Sequence, residues 1–429
     1  MGIILLIVVG ALVIFLKIRK EWNQANTVTV EDVVKNAEGR RDQDAIATST
    51  EALAKGEITI LLLGLDSRKE QTSARCDAIH LFTLNTTDKT VKITSIPRGT
   101  YIYIPPGTYS QSESYFANAC ELAGYDYVKG EIEKMLSTHV DYIVKVGFSQ
   151  TLGVLRSLKL PTTQSLEWLR NRQSFLIGDP QRSHDQAMFM KDVALKKLDT
   201  FKNPLWFPVA KTVYSYVDTD LDFDSAYALL KLYAESDIKD HPERIELAMN
   251  PPYRVKDLHF DFENPEKFLA QFPKLTSDAT STVMVTTTLE DGTVVVEEVV
   301  TTTPSGPKLS LAEVQKQVIG HITYQLNKRL SLDDIVKKRL WLQIENENTR
   351  EDLHFKIVSR LVERARGREK KIDLVTAYIQ EKDAFELPEW AEKGRGLMQE
   401  VTDLSENTLA QEEMGFMARD ALSASLSDK

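Results

Sequence analysis

The sequence predicts an α/β fold, an α/β/α-type sandwich with a mixed central sheet, between an N-terminal membrane anchor and an added C-terminal helical region. Three observations lead to this fold class. Strand-like and helical patterns alternate irregularly over residues 57–272, as is typical of helices packed on a mixed sheet. The chain opens with an uncharged apolar run, and it turns to helical periodicity from Ser310 onward.

The predicted anchor is residues 1–20, with the run "GIILLIVVGALVIFL", a little shorter than the roughly 20 residues of a membrane-spanning helix. No small-residue cleavage site follows, so an uncleaved signal anchor is favoured over a buried helix of a soluble core. Lys17, Arg19 and Lys20 follow the run, and the positive-inside rule alone would keep the rest of the chain in the cytoplasm. The polar residues 21–56 are interpreted as a stalk or linker.

The predicted sheet begins at residues 58–63, a continuous apolar run suited to burial on both faces. Residues 77–85 and 89–98 are two further strand candidates, and "TTDK" between them predicts a hairpin turn. Helical patterns follow near 113–123 and 128–138, and "VDYIVKVGF" is another strand candidate.

Charged residues collect at the ends of the first three strands, namely Asp66, Arg68, Arg75, Asp77 and Arg98. We expect the second and third strands to pair as a hairpin, with the first strand beside the third and parallel to it. All five side chains then share one edge of the sheet.

A second group of polar residues follows later in the chain. Arg170 and Arg172 in "WLRNR" are two residues apart, a spacing that on a strand directs both guanidinium groups to one side. Arg182 and Gln186 lie four residues apart on one face of a predicted helix. Arginines with acids suit a polyphosphate and a divalent metal, since guanidinium groups bind phosphate bidentately and carboxylates hold Mg²⁺. By spacing alone, surface ion pairs are the alternative.

Composition narrows the classes of partner. The chain has 429 residues and a net charge of −10, so it offers no basic field to attract nucleic acid, and a nucleic-acid partner is disfavoured. The two cysteines, Cys76 and Cys120, are too few for a disulfide scaffold or a four-cysteine zinc site. One disulfide in an exported chain and two free thiols both remain open.

Five motifs in order, "LLLGLDSR", "RCDAIHLFTLN", "TSIPRGTYIYIP", "LRNR" and "DPQRSHDQ", resemble the motif series of the LytR–CpsA–Psr (LCP) cell-envelope family. The resemblance covers roughly residues 57–272, including "VDTDLDFDSAYALLKLY". It implies an extracytoplasmic α/β domain on a single-pass anchor in the cell membrane. The implied activity is a Mg²⁺- (or Mn²⁺-) dependent phosphotransferase. It would move a glycosyl phosphate from a polyprenyl diphosphate-linked glycan to a cell-wall acceptor such as peptidoglycan.

Carried over motif by motif, the resemblance implies a role for each polar residue. Asp66 and Arg98 are the catalytic residues, and Asp77 with Asp66 holds the metal. Since a carboxylate can be a metal ligand or a general base, the sequence does not separate the two roles of Asp66. Together with Arg98, the substrate-binding set grips the diphosphate and comprises Arg68, Arg75, Arg170, Arg172, Arg182 and Gln186.

Three positions depart from the family pattern. Gly99 stands where an aspartate is typical, Asp185 stands where a second arginine precedes Gln186, and His184 replaces an acidic residue. Exchanging a cation for an anion beside a diphosphate weakens the phosphate-binding field. Two other functions therefore stay open: a glycan- or lipid-binding descendant without turnover, and a transcriptional attenuator, which the acidic composition disfavours.

A polyprenyl chain also needs an apolar tunnel. The candidates are the helix faces after residue 113 and the stretch "AMFMKDVALKKL". At helical spacing, ordinary core packing is the alternative for both.

Beyond this domain, residues 273–307 alternate Thr and Val around Asp291-Gly292, which predicts a hairpin or a loose linker. Residues 308–429 are predicted to be helical, because "SLAE" is a capping box and an apolar stripe follows it. The stripe contains Leu311, Val314, Val318, Ile322 and Leu326. A solvated helical bundle is the default interpretation, and a protein- or wall-binding module is the alternative.

Overall fold

The computed structural model describes residues 19–44, 56–66, 74–104, 114–171, 178–272, 281–288, 294–301 and 311–403. The strands of its main sheet are β1 Glu57–Asp66, β2 Arg75–Asn85, β3 Thr90–Ser95, β4 Tyr142–Gly147, β5 Asp218–Thr219 and β6 Ile245–Met249. These six strands lie in the order β5-β4-β1-β2-β3-β6. β1 with β4 and β3 with β6 are parallel, and the other pairs are antiparallel. The predicted mixed sheet is confirmed.

The hairpin of β2 and β3 forms as predicted, with a turn at residues 86–89. The predicted neighbour of β1 is wrong, because β1 pairs with β2 and β4 and not with β3. The 11-residue β2 pairs along one side with β1 and along the other with β3, so it takes the place between them. β1 and β3 still run in the same direction, and both end at the same edge of the sheet.

Helices cover both faces of the sheet, which gives the α/β/α arrangement. They are α1 Val30–Asp44, α2 Phe116–Leu122, α3 Tyr125–Leu136, α4 Phe148–Ser157, α5 Thr163–Arg170, α6 Asp179–Lys197, α7 Phe207–Ser215, α8 Phe223–Ala234 and α9 Pro265–Leu269. On one face, Leu61 packs in a cluster with Phe116 and Ile132 from α2 and α3. On the other face, Ile58 shares a cluster with Ala187 of α6 and with residues of α1 and α8. The alternating side chains of β1 thus contribute to two cores.

The N-terminal part of the described chain lies on this domain. Val33 and Ala37 of α1 are fully buried in the second cluster, so this part of the predicted stalk packs against the domain. Within the described residues, none of the helices has the length and apolarity needed to cross a membrane. The predicted anchor, residues 1–20, lies outside the described residues except for its last two positions.

The predicted C-terminal helical region is present. It follows an antiparallel pair of strands, β7 Ser281–Thr288 and β8 Val294–Thr301. Its helices are α10 Leu311–Asn327, α11 Asp333–Lys338, α12 Glu347–Arg364 and α13 Arg368–Ala384, followed by helical residues 388–403.

The helical region packs against α4 and α7. Tyr216, which directly follows α7, lies in one apolar cluster with Ile322 of α10 and Trp341. At Gly153 of α4, an added Cβ would lie 2.8 Å from the Tyr216 ring and 2.9 Å from Leu342. A glycine therefore permits the close approach between the two parts of the chain.

Candidate functional site

The site forms at the edge of the sheet where β1 and β3 end and β2 begins. Asp66 is paired in register with Arg75. Asp77 lies two residues further along β2, and Arg98 follows β3 after a proline. The structure therefore brings these four predicted residues to one edge, although through a different strand order from the one expected. Arg68 lies outside the described residues.

Arg98 is the centre of the charged groups at this edge. It forms an ion pair with Asp77, and its Nε lies 3.5 Å from an oxygen of Asp179. Burial acts to lower the pKa of Arg98, but the two carboxylates outweigh it and raise the pKa. Arg98 therefore stays charged and is held in position at the end of its strand.

Helix α6 supplies the neighbouring groups from its first turns. Arg182 pairs with Asp179 at 3.1 Å and donates to the backbone oxygen of Asp77 at 3.4 Å. One turn later, the Gln186 side chain donates to the backbone oxygen of Leu169 at 2.9 Å. Arg182 and Gln186 share one helix face as predicted.

Two residues of this site were missed by the sequence reasoning. Asp179 lies between Arg98 and Arg182, and a Cβ added at Gly99 would be 3.6 Å from its carboxylate. The buried ring of His80 contacts Gln186 at 3.3 Å and Ser95 at 3.0 Å. Burial lowers the pKa of His80 to about 4, against the opposing effect of the hydrogen bond to Oε1 of Gln186, so this histidine is neutral at pH 7.

The remaining predicted arginines have different surroundings. Arg75 lies 3.3 Å from Glu121 and is largely exposed. Arg170 is the last residue of helix α5, so its predicted position on a strand is wrong. Ser165 and Trp168, three positions apart, are both fully buried, which is the spacing of one face of a helix. The Arg170 guanidinium lies over the Phe148 ring at 5.2 Å. Arg172 lies outside the described residues.

Asp185 does not face this group of charges. It is fully buried and accepts a hydrogen bond of 2.9 Å from Gln181, which in turn binds the backbone of Lys256. Burial raises the pKa of Asp185 to about 7, against the opposing effect of the Gln181 hydrogen bond. His184 lies 2.7 Å from Asp257. Asp185 and His184, the two residues of this motif that depart from the family pattern, therefore face the loop that contains Lys256 and Asp257.

An apolar cavity of about 430 Å³ opens at the charged edge. Its lining includes the polar residues Asp66, Asp77, Arg170 and Gln186. Of these, Asp66, Asp77 and Arg170 are in part exposed to solvent, so they mark the opening of the cavity. The rest is mainly aliphatic and aromatic, and includes Leu62, Leu155, Leu158, Leu169, Phe189 and Val193. Of the two predicted tunnel segments, the stretch after Gln186 lines this cavity. The helices after residue 113 belong to the core on the other face of the sheet.

A disulfide joins Cys76 of β2 to Cys120 of α2, with a Cα–Cα distance of 5.9 Å. Cys76 lies between Arg75 and Asp77, and Glu121 follows Cys120. The disulfide therefore links the strand that carries two site residues to the helix that carries the partner of Arg75.

The site offers few side chains that could bind a metal ion. Among the residues that the structure describes, no three His, Cys, Asp or Glu side chains form a cluster able to hold a metal ion. Asp66 and Asp77 provide two carboxylates at the cavity opening. Mg²⁺ usually keeps several waters and binds one or two carboxylates plus phosphate oxygens. These residues therefore fit a Mg²⁺ ion that a phosphate-bearing ligand helps to hold.

Fold and site together define a class: an α/β domain with a charged sheet edge above an apolar cavity, suited to a ligand with an anionic head and an apolar tail. Residues 22–152 match the model of the LytR_cpsA_psr family, which confirms the resemblance carried by the motifs. The matched stretch contains the first three of the five motifs.

Two relatives are similar to part of this chain. The polyisoprenyl-teichoic acid–peptidoglycan teichoic acid transferase TagU of Bacillus mycoides is 31% identical over 153 residues, which are 35% of this chain and 48% of TagU. TagT of Bacillus subtilis, with the same descriptive name, is 36% identical over 108 residues, 24% of this chain and 32% of TagT. The matches thus span about half of TagU and about a third of TagT.

The crystal structure of B. subtilis TagV superimposes on 51% of this chain and 96% of its own length, with 19% identity and a TM-score of 0.36. That score is too low to add to the argument.

Proposed function

We propose that this protein transfers a glycosyl phosphate from a polyprenyl diphosphate-linked glycan to a cell-wall acceptor such as peptidoglycan. One observation carries the proposal: the apolar cavity opens at Asp66 and Asp77 of the sheet edge and at Arg170 of α5, and Asp77 is the ion-pair partner of Arg98. A polyprenyl chain fits the cavity, and its diphosphate then lies among the charged groups. The names of the similar TagU and TagT proteins, which are wall teichoic acid transferases, support the same reaction class.

In this proposal the arginines bind the diphosphate. Arg98 and Arg182 already lie beside carboxylates that hold them in place, so they need little reorganisation when phosphate oxygens arrive. Fixed cations are effective where negative charge develops on the leaving group. Arg170, which lies on α5 at the cavity opening, also binds the diphosphate. His80, being neutral, orients Gln186 without adding charge.

The reaction exchanges the phosphoanhydride bond of the donor for a phosphoester bond to the acceptor. The acceptor hydroxyl oxygen bonds to the phosphorus that bears the sugar, and the bond from that phosphorus to the bridging oxygen breaks. Polyprenyl phosphate leaves with the electron pair, and Asp66 takes the hydroxyl proton where its carboxylate is not a metal ligand. Where Mg²⁺ is bound, Asp66 and Asp77 are the residues that would hold it, and the ion supplies positive charge to the phosphates.

We further propose that the folded domain lies outside the cytoplasm, anchored by residues 1–20. The disulfide between Cys76 and Cys120 supports this location, since disulfides persist in oxidising compartments and are rare in the cytosol. A reporter that is active only in the cytoplasm, fused to the C-terminus of the full chain, is expected to be silent. Strong reporter activity would refute the export of the domain and with it the supply of both substrates.

Arg98 provides the test of the activity. Arg98→Ala is expected to lower transfer from a polyprenyl diphosphate-linked glycan by about 100-fold or more. Arg98→Lys should also be poor, because an ammonium group cannot bind two phosphate oxygens as a fork. Arg40→Ala is the matched control, because Arg40 pairs with Asp220 near the opposite end of β1. Transfer is measured by release of polyprenyl phosphate with Mg²⁺ present.

The outcomes separate the proposed enzyme from its alternatives. Full activity of Arg98→Lys would make Arg98 a structural ion-pair residue and would refute the site. Tight donor binding by the natural protein without any release of polyprenyl phosphate would favour the binding-only descendant.

A further inference from the structure

A second cavity, of about 600 Å³, lies between α7 and the C-terminal helical region. Pro208 and Val209 line it from the α7 side, and Ile357, Val358, Leu361 and Leu374 line it from α12 and α13. It is distinct from the cavity at the sheet edge. Val213 and Val217 belong to the lining of the first cavity, whereas Thr212 and Ser215 belong to that of the second. The α7 segment therefore separates the two spaces.

Three residues that line this second cavity carry buried polar atoms without a hydrogen-bond partner among the described residues. They are Nε1 of Trp341, Nδ1 of His354 and the hydroxyl of Tyr378. Nδ1 of His354 lies 3.5 Å from the carboxylate of Glu381, too far for a well-formed hydrogen bond. All three residues line the cavity and are at most 5% exposed. The Trp341 and His354 rings stack at 4.3 Å, and the Tyr378 ring is 5.1 Å from His354. Buried polar groups normally have partners, so this cluster is suited to a ligand that supplies them.

The charged groups around the cavity neutralise one another. Lys211 pairs with Glu21 at 2.5 Å, and Lys159 pairs with Glu386 at 3.1 Å. Burial lowers the pKa of His354 well below its ordinary value, so this histidine is neutral at pH 7. A charged ligand would find no unmatched counter-charge among these groups, and burying a charge without one is costly.

We propose that this cavity binds an uncharged amphiphile: an aliphatic chain that ends in a hydroxyl group. The aliphatic walls bury the chain, which is favourable in proportion to the area removed from water. The oxygen of its hydroxyl group accepts from Nε1 of Trp341 and from the hydroxyl of Tyr378. A volume of this size is within the usual range for pockets that hold a small molecule.

The position of Glu21 identifies the source of this ligand as the membrane. Glu21 lines the cavity and follows directly on residues 1–20. With the anchor of the proposed function in the bilayer, the cavity opens close to the membrane surface, where neutral lipids with hydroxyl head groups are available. This last step rests on the proposed anchor, whereas the binding chemistry rests on the lining residues.

Photolabelling of the full chain tests the proposal. A long-chain alkanol with a diazirine group is expected to label α12 and α13, as mapped by mass spectrometry. The matched carboxylate, of the same chain length, should label them at least about fivefold less. Ala377→Trp, at an exposed position in the lining, should block labelling by the alkanol. Lys370→Trp, an exposed position on the same helix outside the lining, should not.

Three further variants separate ligand binding from folding and from the proposed transferase activity. Tyr378→Phe removes a hydroxyl without a partner, so thermal stability should be kept while labelling falls several-fold. Tyr324→Phe, at an exposed position of α10, should change neither thermal stability nor labelling. Arg98→Ala, at the sheet edge, should abolish transfer and leave the labelling unchanged. Equal labelling by the carboxylate, or unchanged labelling in Ala377→Trp or Tyr378→Phe, would overturn the proposal.

Discussion

The sheet edge and the C-terminal helical region both concentrate charges, but they hold them in opposite ways. At the sheet edge, Arg98 and Asp77 are partly exposed, and Asp77 lines the opening of a cavity. In the helical region, Lys382 is 1% exposed and lies 2.5 Å from Glu351 and 2.8 Å from Glu381. Arg350 pairs with Glu351 from the other side at 2.8 Å.

The difference separates charges that can change partner from charges that cannot. A partly exposed guanidinium can exchange a carboxylate for a phosphate at small cost, because water screens both states. A fully buried ammonium has no such freedom, since removing its partner leaves an uncompensated charge in a poorly polarisable interior. The sheet edge is therefore suited to ligand binding, and the charges of Lys382 and Glu351 hold α12 and α13 together.

The largest expected effect is that of Lys382→Met. Removing the buried ammonium leaves Glu351 and Glu381 with too little positive charge, so the free energy of unfolding should fall by about 3–5 kcal/mol. Urea unfolding followed by circular dichroism measures this change. Lys356→Met is the control, because Lys356 forms an exposed pair with Asp352.

The double variant Glu351→Gln with Lys382→Met sharpens this test. It removes both members of the pair, so it should be more stable than Lys382→Met alone. Additive losses would show that the two groups act through packing and not through their charges.

Asp185→Asn should raise stability, in a manner that depends on pH. Burial raises the pKa of Asp185 from its usual value near 3.8 to about 7. Between these values the folded chain holds a proton that the unfolded chain has lost, so the stability of the natural protein falls as pH rises. Asparagine keeps the acceptor for Gln181 and never ionises. The gain should grow from pH 4 to pH 7, to at most about 4 kcal/mol.

Thermal unfolding at several pH values checks this slope. Asp257→Asn is the control, because Asp257 is exposed beside His184. A gain that does not depend on pH would show that Asp185 is not the titrating group.

Gly153→Ala tests the contact between the two regions. The new methyl group would overlap the Tyr216 ring and Leu342, and overpacking of this kind costs about 1–3 kcal/mol. Gly130→Ala in α3 is the matched control, because an added Cβ there meets no atom within 4 Å. It should stabilise the protein by about 0.5–1 kcal/mol through helix propensity. Similar results for both variants would contradict the close approach.

The smallest expected effect belongs to the sheet edge. Glu121→Gln removes the partner of Arg75 in a pair whose side chains are 43% and 22% exposed. The free energy of unfolding should change by less than about 1 kcal/mol. A loss comparable with that of Lys382→Met would place this ion pair among the structural charges and erase the contrast between the two regions.

Local patterns in the sequence were sufficient for β1 to β4, the hairpin of β2 and β3 and the start of α6, whereas β5 and β6 were not predicted. Each depends on residues close together in the chain, since side-chain alternation and turn residues act over a few positions. Arg98 at the end of its strand and the shared helix face of Arg182 and Gln186 are predictable for the same reason. The Thr/Val alternation likewise indicated the pairing of β7 with β8 as one of two alternatives.

Only the tertiary structure decided which groups meet. Strand order depends on the pairing of β2 with both β1 and β3, and no local pattern specifies it. Asp179 meets Arg98 across 81 positions of the chain, and His80 meets Gln186 across 106. Arg170 belongs to a helix because Trp168 needs burial against α9 and the segment after it. Asp185 turns away from the charged edge because α6 packs its opposite face against the loop around Lys256. These outcomes follow from long-range packing, in which the burial of apolar side chains outweighs local preference.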